Sequence, residues 1–559
     1  MNSHKQITAS TGCFSLFALV LACVLGTPVV AQVTAERILN AASEPQNWLT
    51  YSGGYASQRY SRLDQITRAN VKDLELAWIL PNQVFGAWQS TPLVVDGIMY
   101  VTQRPNDVLA LDALTGRVFW QYSHQVSTDA RVCCGANNRG LAILGESLFM
   151  GTLDGRLIAL DARSGTSLWN IAVADPALGY SLTLAPLVVK DMVLVGVGGG
   201  EYGIRGFIAA FDAATGEERW RFNTIPGPGE PGHETWENEG WVNGGGSVWV
   251  TPSYDSGLNL TYWGIGNPGP DWNPDQRPGD NLYTESVVAL DADTGALQWH
   301  YQFTPNDGYD YDSVQVPVLA DISWRGTPTK AMLWANRNGN FYVLDRTNGR
   351  FLQGTPFVKV SWMSGFDANG RPIQTPPAPG EALWPGNQGG TNWYSPSFSP
   401  RTGLMYVSAW EGYASTPVKE EVTYVPGRNF GGGSNSPVVP VPGAPGPRIG
   451  RTTPINNWTD AVGNGATIAL DPDTGERTWT FKHYDVTDSG ILTTASDLLF
   501  TGGREGYFYA LDATTGEELW KASLGGQIVN GPITYAIDGV QHVSIISGNS
   551  LVTFRLRNL

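Results

Sequence analysis

The stretch ALDALTGRVFW (residues 110–120) decides how the whole chain is read, because it recurs. Further copies are ALDARSGTSLW (159–169), AFDAATGEERW (210–220), ALDADTGALQW (289–299), ALDPDTGERTW (469–479) and ALDATTGEELW (510–520). VLDRTNGRFLQ (343–353) is a degenerate copy without the Trp. Each unit reads as a strand, an Asp-x-x-Thr-Gly turn and a second strand. The Gly gives the turn its positive φ, and the Asp bonds back to the turn backbone. The closing Trp is large enough to anchor one sheet on the next.

The copies lie about 40–55 residues apart, the length of a four-stranded propeller blade. The interval from Trp220 to Trp299 is longer and must hold an insertion. The interval from residue 353 to Trp479 must hold a further blade and excursions. Trp78, after NVKDLELAW (70–78), reads as the end of the first blade. The expected fold is therefore all-β, an eight-bladed β-propeller covering residues 32–559, with inserted loops gathered on one face. PGPGEPGHETWENEG (226–240) and residues 416–450 are such inserts, rich in Gly and Pro. The repeat itself carries no chemistry, since a propeller of this kind also serves as a non-catalytic scaffold of the cell envelope.

Composition agrees with many short strands. Of 559 residues only 15% are charged, while Gly numbers 67 and Trp 21, which suits neither a helical bundle nor a disordered chain. The formal net charge of −16 argues against a nucleic-acid partner, which would demand a basic face. The N-terminus reads as an export signal: Lys5, the apolar run CFSLFALVLACVLG (13–26), and small residues at Val29 and Ala31, with cleavage expected after Ala31. VLAC (20–23) resembles a lipoprotein box loosely, because Leu21 is bulky, so lipidation at Cys23 is the lesser alternative. No later run approaches the ~20 apolar residues that span a bilayer. Cleavage leaves two adjacent cysteines, Cys133 and Cys134, in an oxidising compartment. No Cys-x-x-Cys-His occurs, so no covalent c-type haem is expected on this chain.

Two stretches stand out from the repeat. In RVCCGANNRG (131–140) the adjacent cysteines either close a tight ring, which would serve as a rigid platform, or remain two buried thiols. Arg139 nearby can hold an anionic ligand. In NDGYDYDSV (306–314), Asp307, Asp310 and Asp312 fall within six residues. On an extended segment Asp310 and Asp312 point to the same side, where their carboxylates repel unless a cation lies between them. The plainer alternative is a polar turn with all three acids in water. The six histidines form no metal-spaced pair, and no nucleophile elbow, P-loop or dinucleotide-binding βαβ unit is present.

Cys133-Cys134 with Arg139, the Trp-ended repeats, and WGIGNPGPDWNPDQRPGDNLY (263–283) followed by PNDGYDYD together resemble the quinoprotein alcohol dehydrogenases of the methanol/ethanol dehydrogenase family, over about residues 40–555. The resemblance implies a periplasmic enzyme that oxidises primary alcohols with pyrroloquinoline quinone (PQQ) and a metal ion near the ring axis. It implies that a Cys133–Cys134 disulfide and Trp249 lie on the two faces of PQQ. It makes Arg139, Thr183, Ser247, Arg337 and Asn392 further cofactor contacts, and Glu201, Asn267 and Asp310 metal ligands. Asp310 matches the catalytic acid that accepts the alcohol proton. The second acid, Asp312, is the mark of lanthanide-dependent members; the alternative is calcium, with Asp312 outside the coordination sphere. The resemblance further implies a soluble cytochrome c as electron acceptor and a homodimer. Asp271 in NPGPDWNP is one residue more than the usual pattern of the family, so the spacing from Asn267 to Asp310 differs.

Overall fold

The structure, a computed structural model, describes Met1 and residues 32–82, 84–437 and 464–557. The export segment, with the box at Cys23, and the 438–450 part of the second insert lie outside the described residues.

Among the described residues are eight antiparallel four-stranded sheets, and the chain is an eight-bladed β-propeller. Seven come from consecutive stretches: residues 93–123, 142–172, 187–223, 253–302, 318–356, 397–482 and 492–523. The seventh also carries Tyr60–Ser61 as a short parallel strand. The eighth sheet corrects the reading of Trp78. Leu74–Pro81 does not end a blade of its own; it pairs antiparallel with Ser550–Leu556, so the last sheet is made from both ends of the chain. In the first blade the inner strand Leu93–Val95 is buried throughout, while Val118–Ser123, at the outer edge, alternates with solvent. Inner strands carry apolar residues on both faces because both faces are covered.

The repeat works as a docking joint. The indole N–H of Trp120 donates to the Ala162 carbonyl of the next blade at 3.2 Å. Trp169 does the same to Ala213, Trp220 to Ala292 and Trp479 to Ala513, at 3.1–3.2 Å. Trp78 reaches Ala113 at 3.2 Å, so the eighth blade docks on the first. Each turn glycine serves twice. Gly295 has φ +70°, and a Cβ there would lie 2.4 Å from the Trp220 ring. In the degenerate copy Gln353 stands where the others have Trp, and it covers Gly475 of the following blade. The turn Asp acts as expected: Asp212 Oδ1 accepts the N–H groups of Ala214 and Thr215.

Residues 48–61 tie the inner strands together. The Tyr55 hydroxyl donates to Val188 O at 2.8 Å, and Gln58 Nε2 to Leu319 O at 2.8 Å. Arg59 is 1% exposed and donates to the carbonyls of Tyr51, Ile491 and Pro532 at 2.6–3.0 Å. Burial lowers its guanidinium to about 10.

Candidate active site

The loops that enter the inner strands, and those that follow the second strands, converge on one cavity of about 450 Å³. Each is pinned locally. Ser181 bridges to Gly198, Gly245 to Pro268 and Ile265 to Ser313. Cys133, Cys134, Arg139, Thr183, Glu201, Ser247, Trp249, Asp310, Asp312 and Arg337 all line this cavity. Asn267 and Asn392 do not. Asn267 lies just behind the wall: its N–H donates to Asp312 Oδ1 at 3.0 Å, and a Cβ on Gly200 would meet its Oδ1 at 3.4 Å. Asn392 is fully buried and braces its own loop, donating to the Gln388 carbonyl at 3.2 Å and accepting from Trp393 N–H at 2.9 Å. Gln388 then reaches the cavity.

One part of the cavity suits a flat anionic ring. Cys133 and Cys134 are joined as a disulfide, which removes the free-thiol alternative. Glu201 Oε1 lies 3.0 Å from Cys133 Sγ and 3.7 Å from Cys134 Sγ. Disulfide sulfurs carry no proton, so these are packing contacts rather than hydrogen bonds. The Arg139 guanidinium is 4.8 Å from the ring centres of both Trp249 and Trp393. It also donates to Thr183 Oγ1 at 3.1 Å and to Trp249 O at 3.3 Å. Stacking on indoles and bonding to a hydroxyl fix a normally floppy side chain in place.

The other part is acidic, and here the extended-segment reading is overturned. Asp310 and Asp312 have φ of +59° and +31°, so the segment turns instead of running straight. Their carboxylates nevertheless meet, on a cation from the protein. Arg337 donates Nη2 to Asp310 Oδ2 at 2.9 Å and Nη1 to Asp312 Oδ2 at 2.7 Å, and its Nε bonds Asn387 O at 2.6 Å. The polar-turn alternative fails as well, since Asp307 is fully buried and Asp312 is 5% exposed.

Three acids and a base that sequence reasoning gave no role complete the cluster. Asp271, Glu285, Asp307 and Arg277 are all at most 5% exposed. Burial raises the Asp310 carboxyl well above its ordinary range; Arg337 pulls it back, and Asp312, Glu201 and Asp307 push it up further. Burial does the same to Asp271, reinforced by Glu201, Asp310 and Asp312. Glu285 is raised by burial, then by Asp307 and Asp312. Asp307 is raised to about 6, chiefly by burial, against the pull of Arg277. Buried oxygens of Asp271, Glu285 and Asp307 have no hydrogen-bond partner. Asp271, Glu285, Asp307, Asp310 and Asp312 thus surround the guanidiniums of Arg277 and Arg337, and Glu201 adds its charge to Asp271 and Asp310. Hard oxygen donors in such excess fit a cation of the calcium or lanthanide type, and the disulfide, Trp249 and Arg139 fit PQQ.

Comparison with known proteins agrees. Residues 48–362 match the family described as glucose/ethanol/alcohol dehydrogenase, β-propeller domain. Residues 464–552 match a second description, outer membrane protein assembly factor BamB. The chain is 39% identical to the quinohemoprotein alcohol dehydrogenase ADH IIB of Pseudomonas putida, over 95% of this chain and 78% of that protein. It is 37% identical to the quinoprotein alcohol dehydrogenase PedH of Pseudomonas putida, over 96% of this chain and 91% of that one. Among solved structures, a europium-containing methanol dehydrogenase superposes with a TM-score of 0.85 at 34% identity, over 93% of this chain and all of the other. A propeller of this sequence, with this cavity at the meeting point of its loops, belongs to the PQQ-dependent alcohol dehydrogenases of the glucose/ethanol/alcohol dehydrogenase family.

Proposed function

We propose that the protein works in the periplasm, oxidises primary alcohols such as methanol, ethanol or a larger homologue to aldehydes, uses a lanthanide ion and passes electrons to a soluble cytochrome c. The observation that carries this reading is Asp310: a carboxylate on the cavity wall, 21% exposed, held by Arg337 inside a buried acid cluster. When bound, PQQ supplies the two-electron acceptor and the metal a Lewis acid. The chain supplies position and proton transfer. Asp310 would take the hydroxyl proton of the alcohol. Arg337 fixes its carboxylate on the cavity wall and opposes the rise in its proton affinity that burial causes. Arg139, Thr183 and Ser247 would hold the anionic and carbonyl groups of the cofactor, while Trp249 and the Cys133–Cys134 disulfide would keep water from its faces. Asn392 sets the loop beneath Gln388.

Glu201, Asn267, Asp310 and Asp312 would hold the metal. With Asp312 included, the site offers more oxygen ligands and one more negative charge than calcium needs, which favours a trivalent ion. One observation supports the calcium alternative. Both oxygens of Asp312 already have protein partners, Oδ1 in Asn267 N–H and Oδ2 in Arg337. In that case Asp312 is a positioning acid only.

Dye-linked alcohol oxidation by PQQ-loaded protein, with calcium and lanthanum compared side by side, tests the reading. Activity with lanthanum alone supports the lanthanide enzyme, and activity with calcium alone reassigns Asp312. If neither ion supports activity and no quinone absorption band is acquired, the envelope-scaffold alternative replaces the enzyme. Asp310→Ser should lower turnover by a factor of about 10³ or more, in line with the loss of a general base that is also a ligand. The compartment proposal rests on the N-terminal sequence and expects a mature chain starting at Gln32. Light scattering of the purified protein tests the homodimer.

A further inference from the structure

We propose that Asp271 is an additional carboxylate of the cation site, acting through its charge and tipping the site toward a trivalent over a divalent ion. The inference rests on the reading above that the acid cluster holds a cation. Asp271 is 5% exposed and its Oδ1 has no hydrogen-bond partner. Neither nearby guanidinium is bonded to its carboxylate. Arg277 is taken up by the carbonyls of Pro270, Asp271 and Asp307 and by Asn281 Oδ1. Arg337 is divided between Asp310, Asp312 and Asn387 O. The charges that dominate its surroundings are Glu201, Asp310 and Asp312, all of the same sign, ahead of Arg277.

Asp271 is also fixed where it stands. Four residues earlier on the same loop, Asn267 N–H is bonded to Asp312 Oδ1, and one residue later Trp272 N–H donates to Gly431 O at 2.8 Å. The adjoining Phe430 N–H donates to Glu201 O at 2.7 Å, so the Asp271 loop and the Glu201 turn share one clasp. A buried carboxylate with no bonded cation and three acids around it takes up a proton unless positive charge enters among them. The ion held by Glu201, Asn267 and Asp310 provides that charge. Coulomb energy scales with the charge of the ion, so the carboxylate favours a trivalent ion over a divalent one in the ratio 3:2.

The test is calorimetric titration of full-length, PQQ-reconstituted protein with lanthanum chloride and with calcium chloride, which requires no turnover. In Asp271→Asn the lanthanum affinity should fall about tenfold and the calcium affinity about fivefold, the ratio that a lost charge dictates. Asp271→Glu keeps the charge and should stay within about twofold of the wild type for lanthanum. The melting temperature of metal-free Asp271→Asn should equal or exceed that of the metal-free wild type, which shows that the loop still folds. Unchanged lanthanum affinity in Asp271→Asn overturns the proposal. So does an equal loss for both ions, the mark of a disturbed loop. Wild-type protein that binds neither ion would instead remove the underlying reading.

Discussion

Arg337 holds two carboxylates on one guanidinium, and it is 3% exposed. Removing it would leave Asp310 and Asp312 face to face without a cation from the protein. Arg337→Met should therefore cost about 3–5 kcal/mol in metal-free protein at neutral pH, the usual cost of breaking a buried ion pair. Urea unfolding with and without added metal checks this, and part of the loss should return when metal is present. The acids around this pair show why the site was only partly legible in the sequence. Asp310, Asp312, Glu201 and Cys133-Cys134 could be named because they lie in distinctive short motifs. Asp271, Glu285 and Asp307 were given no role. Asp271 and Glu285 are single acids in turns rich in Gly, Pro or Asn, and Asp307, although in the same stretch as Asp310, follows a Pro-Asn turn where the ordinary expectation is solvent. Their burial arises only when several loops meet, and no local pattern records that meeting.

At the scale of the blade, docking by tryptophan makes a comparison possible. Trp220 is 8% exposed and donates its N–H to Ala292 O, while Trp299, 9% exposed, has a buried N–H with no partner. The carbonyl at the matching position, Arg346 O, accepts from the Tyr262 hydroxyl at 3.0 Å but not from Trp299. Trp220→Phe should lose about 1 kcal/mol more than Trp299→Phe, because only the first gives up a hydrogen bond. Chemical denaturation of the two variants decides it. The joint between the first and second blades has an acid-sensitive contact. Burial pushes the Asp154 carboxyl up, but His124 at 2.9 Å, Thr152 at 2.6 Å and the Ser127 N–H at 3.1 Å outweigh it and hold the group at about 2. A depressed carboxyl stabilises the fold above its unfolded value of about 4, and that contribution is lost as the pH falls from about 4 through 2. Urea unfolding between pH 2 and 6 should show this slope, and Asp154→Asn should flatten it. These joints were the most legible part of the fold, since strand, turn and Trp are local and repeat. The exception was Trp78, whose partner strand is the last in the chain.

For the whole molecule, the strand Leu74–Pro81 and the segment 48–61 matter most. The first closes the ring against Ser550–Leu556, and the second binds inner strands through Tyr55, Gln58 and the buried Arg59. A chain lacking residues 1–82 should show no single cooperative unfolding transition and no cofactor uptake, although every cavity-lining residue would be present. Calorimetry and quinone absorbance would report both. The pairing of Leu74–Pro81 with Ser550–Leu556 also sets a timetable. The strand made almost first needs the strand made last. While the ribosome works through more than four hundred intervening residues, that edge stays open, with unsatisfied backbone groups ready to pair with any other strand. Newly made chains of this protein therefore depend on shielding until synthesis is complete, and a chain that stalls one blade short is a sticky product rather than a slightly weaker enzyme.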